Sequence, residues 1–338
     1  MKKMLLVLGV AAAAMTSCTS DEVLEMNPAN AIKFESFVNK GTRAVTETTE
    51  DDFEKFHVYG SRSYDGTNYA VWSGSVNTVS GKNTWTNTQT EKWDNGVYSF
   101  AAYANGNNND VISSGVSYNV ETQTLTIADY TANSANDLVG AFAEAPAKYQ
   151  TVGLTFKHLL TKVSFEFTNK YTAITGATMN ITDLKVIGAY PTGTCTLDND
   201  CYLEISTNNA PTSMWAISGQ QADRNYASAT DSRIANGGTY FDSHLFIPQA
   251  LSNIKISFTV TYYDGNDPIV SKEYSDVSLA GSIKDETINL THWLPGFHYK
   301  YTAYLPVDPN EIVFSVTAVQ GWTEKEVDDD EPEEDVEY

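Results

Sequence analysis

The sequence predicts an all-β protein, and three observations predict it. Tyr, Thr, Asn, Ser and Gly are abundant in the 338 residues, with 20 Tyr, while charged residues make up only 19%. This is the composition of half-buried strands joined by polar turns, not of helices. Apolar and polar residues alternate at period two, most clearly where Ile254, Ile256, Phe258, Val260 and Tyr262 share a face against Lys255, Ser257, Thr259 and Thr261. Turn pairs that accept positive φ punctuate the strands at Asp65-Gly66, Asn95-Gly96 and Asp264-Gly265. Short strands with such turns point to β-sandwiches, and the length accommodates two domains.

The chain opens with an export signal. Lys2 and Lys3 precede an apolar stretch from Met4 to Met15. That stretch is shorter than the roughly 20 residues a membrane span needs and has the length of a signal-peptide core. Met15-Thr16-Ser17-Cys18 then follows the lipobox pattern, in which a cysteine thiol takes a diacylglycerol and becomes the N-terminus after cleavage. Residues 1–18 are therefore expected to be a lipoprotein signal, with Cys18 anchoring the chain in outer-membrane lipid. The alternative is an ordinary signal peptide with a chance cysteine. Asp21 and Glu22 resemble an acidic tag that sends lipoproteins to the outer leaflet.

Further strands are expected at Val97 to Phe100, Leu184 to Ile187, Tyr299 to Leu305 and Ile312 to Val319. A long strand pair runs from Val152 to Phe167. Leu154, Phe156, His158 and Leu160 share one parity, and Val163, Phe165 and Phe167 take the other. The flip near Leu160 to Lys162 implies a bulge, a bend or a change of sheet. Asn133 to Ala147, rich in Ala, Asn and Glu, reads as a short helix or an inter-domain loop, so the domain boundary is placed near residue 153. Glu324 to Tyr338 holds ten acidic residues and one basic, and residues 323–338 read as a disordered, solvated tail.

The net charge of −22 argues against nucleic acid, which is bound by neutralising phosphates, and against docking on anionic lipid through basic patches. Apart from Cys18, the cysteines are Cys195 and Cys201, separated by a turn-like run containing Asp198-Asn199-Asp200. An oxidising compartment permits a disulfide clasp between them, and that bond is expected; a pair of free thiols is the alternative.

The residues point to no catalysis. His57, His158, His244, His292 and His298 form no His-Glu-x-x-His motif, and Pro295-Gly296 separates the last two by a turn. A nucleophile elbow, a phosphate-cradling loop and a catalytic-type cysteine are all absent from the sequence. No cofactor and no metal is expected. Surface aromatics stack on sugar rings, so Trp72, Trp85 and Trp93 could serve a glycan-binding lipoprotein; core and strand-edge positions are the reading preferred for them.

Taken in order, several stretches resemble the fimbrillin lipoproteins of Bacteroidetes, the subunits of fimbriae. They are Cys18; Ala31-Ile32-Lys33-Phe34-Glu35-Ser36-Phe37-Val38; Gly41-Thr42-Arg43-Ala44; and Leu154-Thr155-Phe156-Lys157-His158-Leu159-Leu160-Thr161-Lys162-Val163. Leu245-Phe246-Ile247-Pro248-Gln249, Trp293-Leu294-Pro295-Gly296 with Tyr299 and Tyr301, and Ile312-Val313-Phe314 leading to Trp322 complete the set. The resemblance implies two tandem transthyretin-like β-sandwich domains, here residues 44–153 and 154–322, and a cell-surface location in a fimbrium.

It also implies an assembly route. A trypsin-like or arginine-specific protease would cut between Arg43 and Ala44, removing the leader 19–43 with a strand carrying Ile32, Phe34, Ser36 and Val38. The exposed groove would accept a donor strand from another fimbrial subunit, drawn from 311–322 and carrying Ile312, Phe314, Val316 and Ala318. Residues 1–43 hold five basic and four acidic residues, so the mature chain would keep 16 basic against 39 acidic, a net charge of −23. The alternative function is a glycan-binding or generic outer-membrane lipoprotein that keeps its anchor.

Overall fold

A computed structural model describes residues 30–38, 55–78, 85–87, 90–105, 112, 114–133, 136–205, 212–226, 233–282, 289–305 and 314–320. Within them strands dominate, at 66% of the residues, and form two sandwich units.

The first unit is built on a seven-stranded sheet. Its order is β1 (Lys33–Val38), β9 (Thr151–His158), β8 (Leu138–Glu144), β5 (Val97–Asn105), β2 (Lys55–Tyr64), β3 (Thr67–Thr78) and β4 (Trp85–Asn87). β2 and β3 are joined through Asp65-Gly66, whose φ values of 52° and 72° are those of the tight hairpin turn expected there. A second sheet, β13 (Trp215–Ser218), β12 (Thr192–Leu197), β7 (Thr124–Thr131) and β6 (Val116–Asn119), covers one face of the first. Tyr103, Leu138, Phe142, Ile127, Leu197 and Trp215 form part of the core between them.

The other face of the seven-stranded sheet closes on itself. Its core holds Phe56 and Val58 of β2, Phe100 of β5, Phe156 of β9 and, from β1, Phe34. Gly60 makes this possible locally, because a Cβ there would lie 2.7 Å from the Phe100 ring.

In the second unit, β15 (Thr239–Phe246), β10 (Thr161–Asn169), β20 (Phe297–Leu305) and β21 (Ser315–Gln320) face β14 (Ala222–Asn225), β11 (Thr178–Ala189), β16 (Lys255–Asp264) and β17 (Asp267–Ser278). The period-two face of β16 enters the core as expected: Ile256, Phe258, Val260 and Tyr262 are buried against Phe165, Phe167 and Tyr301. A small ladder of β18 (Gly281–Ser282) and β19 (Asn289–Leu290) completes the strands, and the one α-helix among the described residues is α1 (Asn199–Glu204).

Three local expectations change. The stretch 133–147 contains neither a helix nor only a loop: it carries β8, a central strand. Val139 and Ala141 enter one core while Leu138 and Phe142 enter the other. The parity flip after Leu160 is the change of sheet that the sequence offered among its readings, since β9 lies in the first unit and β10 in the second. A boundary at 153 therefore cuts β9. Moreover, β12 returns from the second half of the chain to pair with β7, and β13 adds to the other side of β12, so that Cys195 lies opposite both Ile127 and Trp215.

The third change concerns the cysteines, which the structure holds as two free thiols. Cys195 points into the first-unit core from β12, whereas Cys201 sits on α1, whose start is set by Asp198 Oδ1 accepting from Cys201 N at 2.8 Å. The run between them is a helix N-cap and not a clasped turn.

Candidate assembly site

The residues that the sequence singles out for assembly lie at the two ends of the described chain. Both ends are sheet-edge strands. β1 runs parallel to β9, with Lys33 opposite Thr151, Phe34 opposite Val152 and Val38 opposite Phe156. Among the described residues its other side is held near its start: Ile32 N donates to Glu91 O at 2.9 Å, Asn87 Nδ2 donates to Ile32 O at 2.8 Å, and Trp93 N donates to Asn30 O at 3.0 Å. The two edges of the seven-stranded sheet thus meet through this segment.

Ile32 and Phe34 are 1% and 3% exposed, so they supply the wall that closes the self-facing core. The Phe34 ring stands edge-on to Trp72 and Phe100, with centroids at 4.9 and 5.1 Å, the geometry aromatic quadrupoles prefer. Each buried side chain of this size contributes on the order of 1.5–3 kcal/mol. Removing the strand would bare that surface together with the unpaired backbone of β9. Ser36 and Val38 lie in β1 two and four residues after Phe34.

β21 closes the edge of the other unit, antiparallel to β20, with Tyr301 opposite Val316 and Phe297 opposite Gln320. Phe314 and Val316 are buried at 8% and 2%, while Thr317 is exposed. Phe314 meets Tyr301, Phe165 and Phe167 at centroid distances of 5.9, 6.0 and 6.0 Å. Ala318 lies in the same strand, opposite Tyr299.

On the face of this sheet turned away from that core, His298 Nε2 and Ser164 Oγ are 2.8 Å apart. Burial, aided by the charges of Lys162 and Lys300, pulls the His298 pKa down to about 3. The imidazole is therefore neutral under ordinary conditions, and burial likewise raises the Tyr299 and Tyr301 phenols.

Cys18, Arg43, Ala44 and Ile312 lie outside the described residues, as does the 323–338 tail. Trp72 and Trp93, at 3% and 5% exposure, are core residues and present no face for stacking on sugars.

Two edge strands anchored by aromatic side chains thus bound an all-β tandem sandwich. A family profile described as fimbrillin-like matches residues 42–322. The chain belongs to the fimbrillin-like family, whose members are structural fimbrial adhesion proteins.

Among solved structures, a fimbrial protein from Bacteroides vulgatus is similar, with a TM-score of 0.54 and 15% identity over 87% of this chain and 100% of the other. The fimbrial anchor protein Mfa2 from Porphyromonas gingivalis also matches, with a TM-score of 0.33 and 11% identity over 85% of this chain and 94% of the other. No curated protein matches.

Proposed function

We propose that the chain is a pilus subunit exported as a lipoprotein through Cys18, cut after Arg43 and polymerised by donor-strand exchange. The observation that supports this reading most is the edge position of β1. Among the described residues it pairs with β9 alone along its ladder, yet it carries Phe34 into the first-unit core. A strand so placed can leave without unthreading any other strand, and its loss exposes a groove that strand addition can refill.

The donor would be the edge strand β21 with Phe314 just ahead of it, so that Phe314 and Val316 take the spacing of Phe34 and Ser36. Both strands present alternating apolar anchors, so one can replace the other in chemistry as well as in length. Before cleavage, β1 fills its own groove and the mutual repulsion of acidic subunits keeps them apart.

The test is limited trypsin treatment of the purified precursor, followed by mass spectrometry and native gels. A clean cut after Arg43 with a ladder of oligomers, both abolished in Arg43→Ala, is the expected result. A chain cut at Arg43 that stays monomeric would remove polymerisation from the reading.

A further inference from the structure

The two units leave a cavity of about 320 Å³ where they meet, at the end of β7 and beside β14. That is within the range, about 300–1,000 Å³, in which small-molecule sites fall. Its walls are mostly apolar or aromatic, from Phe246, Ile247, Pro191, Tyr190 and Ala222. Arg224 of β14 also lines it.

The guanidinium is held in place from several sides. Its Cζ lies 5.1 Å from the Phe246 ring centroid, Nη1 donates to Ala132 O at 3.0 Å, and Nε points to His244 Nδ1 at 3.5 Å. A guanidinium fixed in this way is pre-organised to meet a carboxylate at the cavity wall. Burial lowers the Arg224 pKa, and the groups that oppose the shift are the phenols of Tyr226 and Tyr130, both themselves kept protonated by burial. Asp223 lines the cavity too, but its Oδ2 accepts from Lys185 Nζ at 3.2 Å.

We propose that this cavity binds a small carboxylate ligand, with the acid group on Arg224 and an apolar or ring-shaped body against Phe246, Ile247 and Pro191. The same chemistry is offered by acidic sugars and by simple organic acids of monosaccharide size. None of these residues lies in β1 or β21, so the ligand site and the assembly reading stand or fall separately.

The test is calorimetric titration of the full chain with glucuronate and N-acetylneuraminate, and with phenylacetate as an acid that is not a sugar. Glucose and phenylethanol serve as neutral counterparts. The expected result is saturable one-to-one binding of at least one acid, with no binding of its neutral counterpart and a loss of tenfold or more in Arg224→Gln. Ala222→Trp, which fills the cavity and leaves the guanidinium in place, should abolish binding with the melting temperature unchanged. Which acid binds identifies the source. The proposal is overturned if no acid saturates, if neutral counterparts bind equally, or if Arg224→Gln binds as wild type does. Should Arg224→Gln fail to fold, unchanged binding in Ala222→Trp overturns it instead.

Discussion

The ring of Phe34 stands edge-on to that of Trp72, 4.9 Å between centroids and 75° between planes, although 38 positions separate the two in sequence. This contact ties the first described strand to the third and closes the first-unit core. Phe34→Ala removes both aromatic partnerships and leaves a cavity, at a cost of about 3–5 kcal/mol. Denaturant unfolding of the precursor should show an early transition that Phe34→Leu largely restores. An Ala variant that unfolds with the wild type would mean β1 adds little to the closed fold.

Acid should weaken the second unit through His298. Its folded pKa is about 3, below the ordinary unfolded value of about 6.5. The unfolded chain therefore binds the extra proton first, and stability present above pH 6.5 is lost as pH falls toward 3. At pH 4.5 that loss amounts to about 2–3 kcal/mol. Melting curves of His298→Gln against wild type at pH 7.5 and 4.5 should converge or cross, because the variant lacks this proton uptake. Parallel pH dependences in the two proteins would show that carboxylates elsewhere set the acid limit.

The thiols offer a direct check on the local structure. Cys195 is fully buried, and Cys201 is partly exposed with its pKa raised to about 11 by burial and by Asp198. Alkylation of the native protein without reductant should label Cys201 slowly and leave Cys195 untouched, because the thiolate is the reacting form. In denaturant, peptide mapping should find both labelled. Resistance of both in denaturant until a reductant is added would establish a disulfide.

Much of the fold is legible in the residues, and what is not has identifiable causes. β16 announces itself because one face is buried and the other is half open, so its period survives. β8 is hidden because both its faces are buried and its Gly140, Ala141 and Ala143 give no alternation. The parity flip after Leu160 is visible, but only long-range pairing decides that it marks a change of sheet. The return of β12 to β7 is invisible for the same reason. Among site residues, Phe34 and Phe314 stand out by period, whereas Arg224 is one arginine in a polar stretch, and its cavity exists only where two distant segments meet.

Gln249 joins the crossover to the second unit. Its Oε1 accepts from Tyr190 N at 2.9 Å, and its Nε2 donates to Ile247 O at 2.9 Å and Tyr190 O at 3.2 Å. Gln249→Leu keeps much of the volume but strands these backbone groups, which costs about 1–3 kcal/mol. Thermal unfolding should shift downward, and Gln249→Glu should be no rescue, since a carboxylate cannot donate to the two carbonyls. An unshifted melt would mean that water satisfies the crossover equally well.

β1 runs parallel to β9, with Phe34 opposite Val152 and Phe37 opposite Thr155. If Phe314 of a donor takes the place of Phe34 in the same direction, Thr317 comes to lie opposite Thr155 of the next subunit. Thr155→Cys and Thr317→Cys, made in separate chains in a Cys201→Ser background, should therefore form a mixed disulfide when the two are combined and cut. Neighbouring strands bring such side chains within reach of one another. Before the cut, Phe37 occupies the position opposite Thr155, and no cross-link should form. A cross-link independent of cleavage, or its absence from a ladder that does form, would show that β21 does not fill the groove in this register.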